Sequence, residues 1–87
     1  MKHLVYGKRF WRSARKLPPH IQEKLGDRLN ALSVDPFHPV LHTKPLAGEL
    51  KGVFSFRVTR DWRVTFYFTG ESTIYLLEVN NRKDIYC

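Results

Sequence analysis

Val53–Val58 (VFSFRV), Arg63–Phe68 (RVTFYF) and Ile74–Asn80 (IYLLEVN) are the three runs whose reading decides the fold. In the first run Phe54, Phe56 and Val58 alternate with Ser55, Arg57 and Thr59, the period of two that a half-buried strand requires. The second run alternates in the same way. Keeping every apolar side chain on one face pairs Val58 with Val64, Phe56 with Phe66 and Phe54 with Phe68, which predicts a hairpin loop of Arg60, Asp61 and Trp62. For the third run, sparing Glu78 a place in the core makes Tyr75, Leu77 and Val79 the buried set, with Gly70 to Thr73 as the turn. The open face then carries Arg57, Thr65 and Glu78 in one cross-strand row, Arg63 and Asn80 in the next, and Arg82 just beyond. Such a face is either the solvated side of a sheet or a seat for phosphate-rich ligands, and the excess of cations favours the second.

The 87 residues predict one domain with a modest core, burying roughly 60 to 65% of the surface of the unfolded chain. Fifteen Lys and Arg against 8 Asp and Glu give a formal charge of +7. That balance attracts nucleic acid or an acidic protein partner and speeds salt-sensitive association. The single cysteine, Cys87, excludes an internal disulfide, and a thiol at this position reads as inert. No apolar stretch resembles a signal peptide or membrane span, so the expectation is a cytoplasmic protein with no membrane partner.

The first half reads as a short strand, His3 to Tyr6, followed by two helices. Lys8 to Lys16 places Phe10, Trp11 and Ala14 on one helical side among five cations. Leu17-Pro18-Pro19 stops that helix and starts the next, making an αα-hairpin. From His20 to Leu32, Ile21, Leu25, Leu29 and Leu32 follow helical spacing, with Gly26 as a mildly unfavourable residue within it.

Ser33 to Gly52 is punctuated by Pro36, Pro39, Pro45, Gly48 and Gly52 and reads as a long surface loop with at most one turn of structure. It brings Lys44 and Lys51 toward the open sheet face if it folds along the edge. His38 and His42 have the spacing of a helical metal pair, but Pro36 and Pro39 oppose a helix and no third ligand accompanies them, so no metal site is expected. Gly48 to Gly52 lacks the terminal Lys-Ser/Thr of a phosphate-binding P-loop and leads into a strand, which argues against nucleotide hydrolysis.

The order strand, helix, helix, three-stranded meander predicts a small α+β fold, β-α-α-β-β-β, with the two helices packed on an antiparallel sheet. With KPLAGELKGVFSFRVTRDWRVTFYF from Lys44 and IYLLEVNNRKDIY from Ile74, this order resembles the RelE/ParE superfamily of toxins over nearly the whole chain. Its most specific elements are Pro45-Leu46-x-Gly48, Leu50-x-Gly52 leading into Phe56-Arg57-Val58, Asp61-x-Arg63-Val64, and Asn81 to Tyr86.

The resemblance implies a toxin neutralised by a cognate acidic antitoxin, with no small-molecule cofactor. Its RelE branch implies an endoribonuclease acting on mRNA in the A site of the 30S ribosome. Its ParE branch implies a non-enzymatic inhibitor of DNA gyrase, and a basic RNA-binding module of the same fold is a third possibility. Arg57, Arg82 and Tyr86 match the positions of RelE-like site residues, while Lys44 and Lys51 fall in the loop where the family carries lysines or histidines. Asp61 and Trp62 match an Asp-Trp pair of the YafQ-like relatives. The site histidines of those relatives would fall at Lys44, Arg57 and Arg82.

Metal-independent RNA cleavage needs a base for the 2′-hydroxyl, a donor for the departing 5′-oxygen, and cations for the phosphorane charge. Arg57 and Arg82 suit the last task, because guanidinium groups bind phosphate oxygens bidentately and stay charged. Either Lys44 or Lys51 is the candidate base, provided that burial or neighbouring cations lower its pKa from ~10.4. Tyr86 is placed to stack on a base or orient the attacking hydroxyl, and Trp62 to stack on RNA. Asp61 is expected to pair with Arg82 and orient it, and Arg63 joins them as a substrate contact.

Overall fold

Gly7 is where the first strand ends and the helical segment begins, and the close approach of backbone there requires it. The Gly7 N–H donates to the Leu76 carbonyl at 3.0 Å. A Cβ on residue 7 would lie 2.9 Å from the Leu76 oxygen and 3.0 Å from the Tyr75 hydroxyl. The computed structural model describes residues 1–46 and 51–83. Among these, strand β1 is His3–Tyr6, helix α1 is Lys8–Ala14 and helix α2 is Pro19–Val34.

The helical hairpin forms as its prolines dictate. Pro19 opens α2, where a missing N–H costs nothing. Gln22, one turn into α2, donates its side-chain amide to the Ala14 and Arg15 carbonyls at 3.1 and 3.2 Å. The Ala14 carbonyl also accepts the Leu17 N–H at 3.2 Å, so Gln22 adds a side-chain clasp to the end of α1 and holds the two helices together. Ile21, Leu25 and Leu32 are buried, and Leu29 packs against them half-buried.

After α2 comes a 3-10 turn, Pro39–Leu41, and then strand β2, Lys44–Pro45. The loop expected from Ser33 onward therefore holds a strand as well as a turn. Only main-chain pairing defines it, Lys44 with Ser55 and Pro45 with Phe54. A two-residue edge strand containing proline leaves no hydrophobic period in the sequence to read. Strands β3, Val53–Arg57, β4, Trp62–Thr69, and β5, Thr73–Asn81, complete a sheet in the order β1-β5-β4-β3-β2. The expected α+β arrangement is present. The meander is antiparallel and β1 joins β5 in parallel, so the sheet is mixed.

Two register expectations are corrected. Phe54 pairs with Phe66 and Phe56 with Val64, a shift of two residues that leaves Val58 to Trp62 as the connection instead of Arg60 to Trp62. The shift keeps every side chain on its expected face, so hydrophobic patterning does not oppose it. The longer loop is closed by Val58 N–H donating to the Trp62 carbonyl at 3.0 Å, and by Arg63, whose Nη1 donates to the carbonyls of Thr59, Arg60 and Trp62.

In β5 the residues that enter the core are Ile74, Leu76 and Val79, not Tyr75 and Leu77. A bulge explains it. Thr65 pairs with Glu78 but Phe66 pairs with Leu76, so Leu77 is the extra residue and the faces exchange across it. Glu78 stays out of the core while Ile74 and Leu76 go in. The core that results contains Phe10, Leu32, Leu41, Phe56, Val64 and Phe66, each no more than 1% exposed.

Candidate functional site

On the sheet face opposite the core, the register sets Lys44, Ser55, Thr65 and Glu78 in one row. Arg57, Arg63 and Asn80 form the next. Arg57 thus faces Arg63 directly, one row along from the place expected for it. Like charges directly opposed across a sheet are destabilising unless something lies between or beside them to screen them.

The two arginines are held differently. Arg63 is 7% exposed and its Nη1 is 2.6 Å from the Thr59 carbonyl and 2.8 Å from that of Arg60. It closes the hairpin, a structural task added to the substrate contact expected of it. Arg57 is half-buried and its Nε, wholly buried, makes no hydrogen bond among the described residues. A buried donor left without an acceptor costs about 1–3 kcal/mol, more when the group is charged, so an acceptor brought to this position would be held strongly.

The remaining expected residues surround this pair unevenly. Lys44 is exposed on β2, across from Ser55 and therefore two residues along the sheet from Arg57. Lys51 is exposed in the turn before β3. Arg82 and Asp61 meet through the main chain, the Arg82 N–H donating to the Asp61 carbonyl at 2.8 Å. That bond ties the start of the C-terminal segment to the hairpin tip and leaves the exposed guanidinium of Arg82 beside it. Trp62 is half-buried and packed against the core. Tyr86 lies outside the described residues. Among the described residues, no three of His, Cys, Asp and Glu are grouped to hold a metal ion, and His38 uses Nδ1 to accept the Val40 N–H at 3.1 Å. No helix among them is long and apolar enough to cross a membrane.

Two grooves flank the sheet on its helical side. One, of about 290 Å³, is apolar and lies between the hairpin helices, lined by Tyr6, Trp11, Arg15, Gly26 and Leu29 among others. Trp11 is 53% exposed there. The other, of about 320 Å³, runs between α1 and the end of β5 and is lined by Arg9, Arg12, Lys16, Trp62 and Glu78. The sequence reading gives the α1 cations no role. The signal that would have found this groove is Ser13, whose Oγ accepts the Val79 N–H at 2.9 Å and so seats α1 against the bulged part of β5.

The fold and this face define a small, basic, single-sheet protein with two arginines opposed on its open side. No protein-family model matches the chain, and no curated protein matches it by sequence. Solved structures do. The toxin-antitoxin complex RelBE2 from Mycobacterium tuberculosis is matched at 30% identity over 93% of this chain and 98% of that one, with a TM-score of 0.78. YafQ from E. coli strain BL21(DE3) superposes with a TM-score of 0.79 over the full length of both chains at 16% identity. The RelB-RelE antitoxin-toxin complex from Methanococcus jannaschii gives a TM-score of 0.75 at 20% identity, covering 94% of each chain. The chain belongs to the RelE/ParE superfamily of toxins.

Proposed function

We propose that this protein is the toxin of a type II toxin-antitoxin system and a metal-independent endoribonuclease that cuts mRNA in the ribosomal A site. The single observation that carries the reading is Arg57, a guanidinium held half-buried opposite a second arginine, its own Nε having no hydrogen bond among the described residues. A phosphate placed there satisfies the donor and screens the like charges at once.

The chemistry follows from the rows of the sheet. Lys44, on the same face as Arg57 and one row away, takes the proton of the 2′-hydroxyl. The 2′-oxygen attacks the adjacent phosphorus, and the bond to the 5′-oxygen breaks as that oxygen takes a proton from a solvent water, whose hydroxide is neutralised by the proton held on Lys44. The products are a 2′,3′-cyclic phosphate and a free 5′-hydroxyl. Arg57 and Arg82 neutralise the phosphorane charge, with Lys51 as a further cation, and the Asp61 carbonyl holds the Arg82 main chain in place. Tyr86 stacks on a neighbouring base.

An acidic antitoxin is the expected regulator. RelBE2 and RelB-RelE were solved as toxin-antitoxin complexes. Here the formal charge of +7 and the apolar groove between α1 and α2 suit an acidic amphipathic segment. The natural setting for such an activity is the cytoplasm.

The test is to induce the protein and map 5′ ends on a reporter mRNA, alongside Arg57→Ala and Arg82→Ala variants. New ends inside the translated region that disappear in both variants support the reading. Growth arrest without new ends transfers the protein to the gyrase-inhibiting branch, and absence of any growth effect leaves a non-toxic RNA-binding module.

A further inference from the structure

The groove between α1 and β5 belongs to no part of the cleavage chemistry, yet its composition is specific. Arg9, Arg12 and Lys16 are all exposed and line one wall, Trp62 supplies an indole, and Glu78 closes the far side. The cations do not simply happen to lie nearby. Ser13, in their midst, accepts the Val79 N–H and donates to the Arg9 carbonyl at 2.7 Å, so the helix is fixed to the strand at the point where the bulge turns Glu78 outward.

The groove also begins where the arginine row ends. Trp62 pairs with Asn81, which lies between Asn80 of the Arg57–Arg63 row and Arg82. Trp62 precedes Arg63 in β4 and packs on the core side, so the arginine row and the groove meet at this end of the sheet from opposite faces, and an RNA strand leaving Arg82 reaches the α1 cations by rounding that end. About 320 Å³ is at the small end of the range of ~300–1,000 Å³ for ligand clefts, enough for a nucleotide and too little for a duplex. Cations flanking one aromatic face is the arrangement that binds single strands through backbone charge and base stacking.

We infer that this groove is a second nucleic-acid subsite, which holds a single-stranded RNA segment flanking the cut, its phosphates on Arg9, Arg12 and Lys16 and a base on Trp62. The inference rests on the nuclease reading for its ligand, but binding and cleavage are read separately below. An acidic peptide is the competing occupant. The indole favours RNA, because a base stacks on it while an acidic peptide has no aromatic face to offer.

The chain has two tryptophans, so Trp11→Phe leaves Trp62 as the sole fluorescent reporter. The probe is a 2′-O-methylated tetra-adenylate, which cannot be cleaved, with tetra-glutamate as the competitor. The expected result is quenching of Trp62 by the oligonucleotide. Changing Arg9, Arg12 and Lys16 together to Ala should then weaken binding about tenfold or more and lower the salt slope by about 2, at ~0.7 per phosphate contact. These positions are exposed, so an unchanged thermal melt checks that the fold is intact. Unchanged affinity and slope in the triple variant overturn the inference, as does quenching by tetra-glutamate but not by the oligonucleotide. Quenching that persists in Arg57→Ala while the reporter mRNA is no longer cut separates this subsite from the cleavage row. Quenching that is present when wild-type protein yields no new 5′ ends retains the subsite and removes the nuclease reading.

Discussion

Arg57 and Arg63 face each other across β3 and β4, and only one of them has its guanidinium bonded to the hairpin carbonyls. Arg63 serves the loop. Arg57 has an Nε with no hydrogen bond among the described residues. The two neighbours should accordingly respond to substitution in opposite ways.

Arg57→Gln removes a like-charge contact and a buried Nε donor that has no hydrogen bond among the described residues. Stability should stay level or rise by up to about 1 kcal/mol, while cleavage falls by about a hundredfold or more. Urea melts set beside 5′-end mapping check this, and a marked loss of stability would mean that Arg57 is a structural residue.

Arg63→Ala strips the hairpin carbonyls of their shared donor and opens a buried position. A loss of about 2–3 kcal/mol is expected, because hydrogen bonds from a charged group are worth about 1.5–3 kcal/mol. In a domain of this size that lowers the Tm by roughly 10–20 °C. Arg63→Lys should recover little of it, lacking the planar fork that reaches several carbonyls.

Ser13→Ala leaves the Val79 N–H without its acceptor in a part-buried setting. The expected cost is about 1–2 kcal/mol, seen as a lower midpoint with an unchanged slope in urea. Amide exchange at Val79 should accelerate more than exchange in β4, because only the seat of α1 on β5 is loosened.

Gly26 sits inside α2 with nothing within 4 Å of where a Cβ would be. Packing therefore does not require it, and Gly26→Ala should stabilise by about 0.5–1 kcal/mol through helix propensity alone. The residue lines the apolar groove beside Trp11. Gly26→Leu should fold equally well but escape neutralisation, measured as growth arrest that co-expressed antitoxin no longer relieves. Full relief would remove the groove from the antitoxin interface.

Much of this architecture is legible in the chain itself. Alternation from Val53 to Phe68 assigns two strands and their faces, Leu17-Pro18-Pro19 divides the helices, and the excess of Lys and Arg gives the strongly basic character. Register was not legible, because a period of two is unchanged by a slip of two residues, so Phe54 against Phe66 and Phe54 against Phe68 satisfy the same pattern. The three-dimensional choice falls to Arg63, whose bonds to the hairpin carbonyls favour the longer loop. The bulge at Leu77 was hidden for the complementary reason. It exchanges faces in mid-strand, which no single alternation can describe, and it lets Ile74 and Leu76 enter the core while Glu78 stays out. Site residues divide in the same way: Arg57 declares itself by charge within a strand, but its pairing with Arg63 and the seating of the α1 cations beside Trp62 depend on contacts between residues far apart in sequence. In β3, β4 and the helices the sequence tells which side meets water, since burial there follows side-chain type, whereas in β5 the bulge overrides it. Only tertiary packing decides which side chains meet each other, because that depends on backbone hydrogen bonds that every residue offers alike.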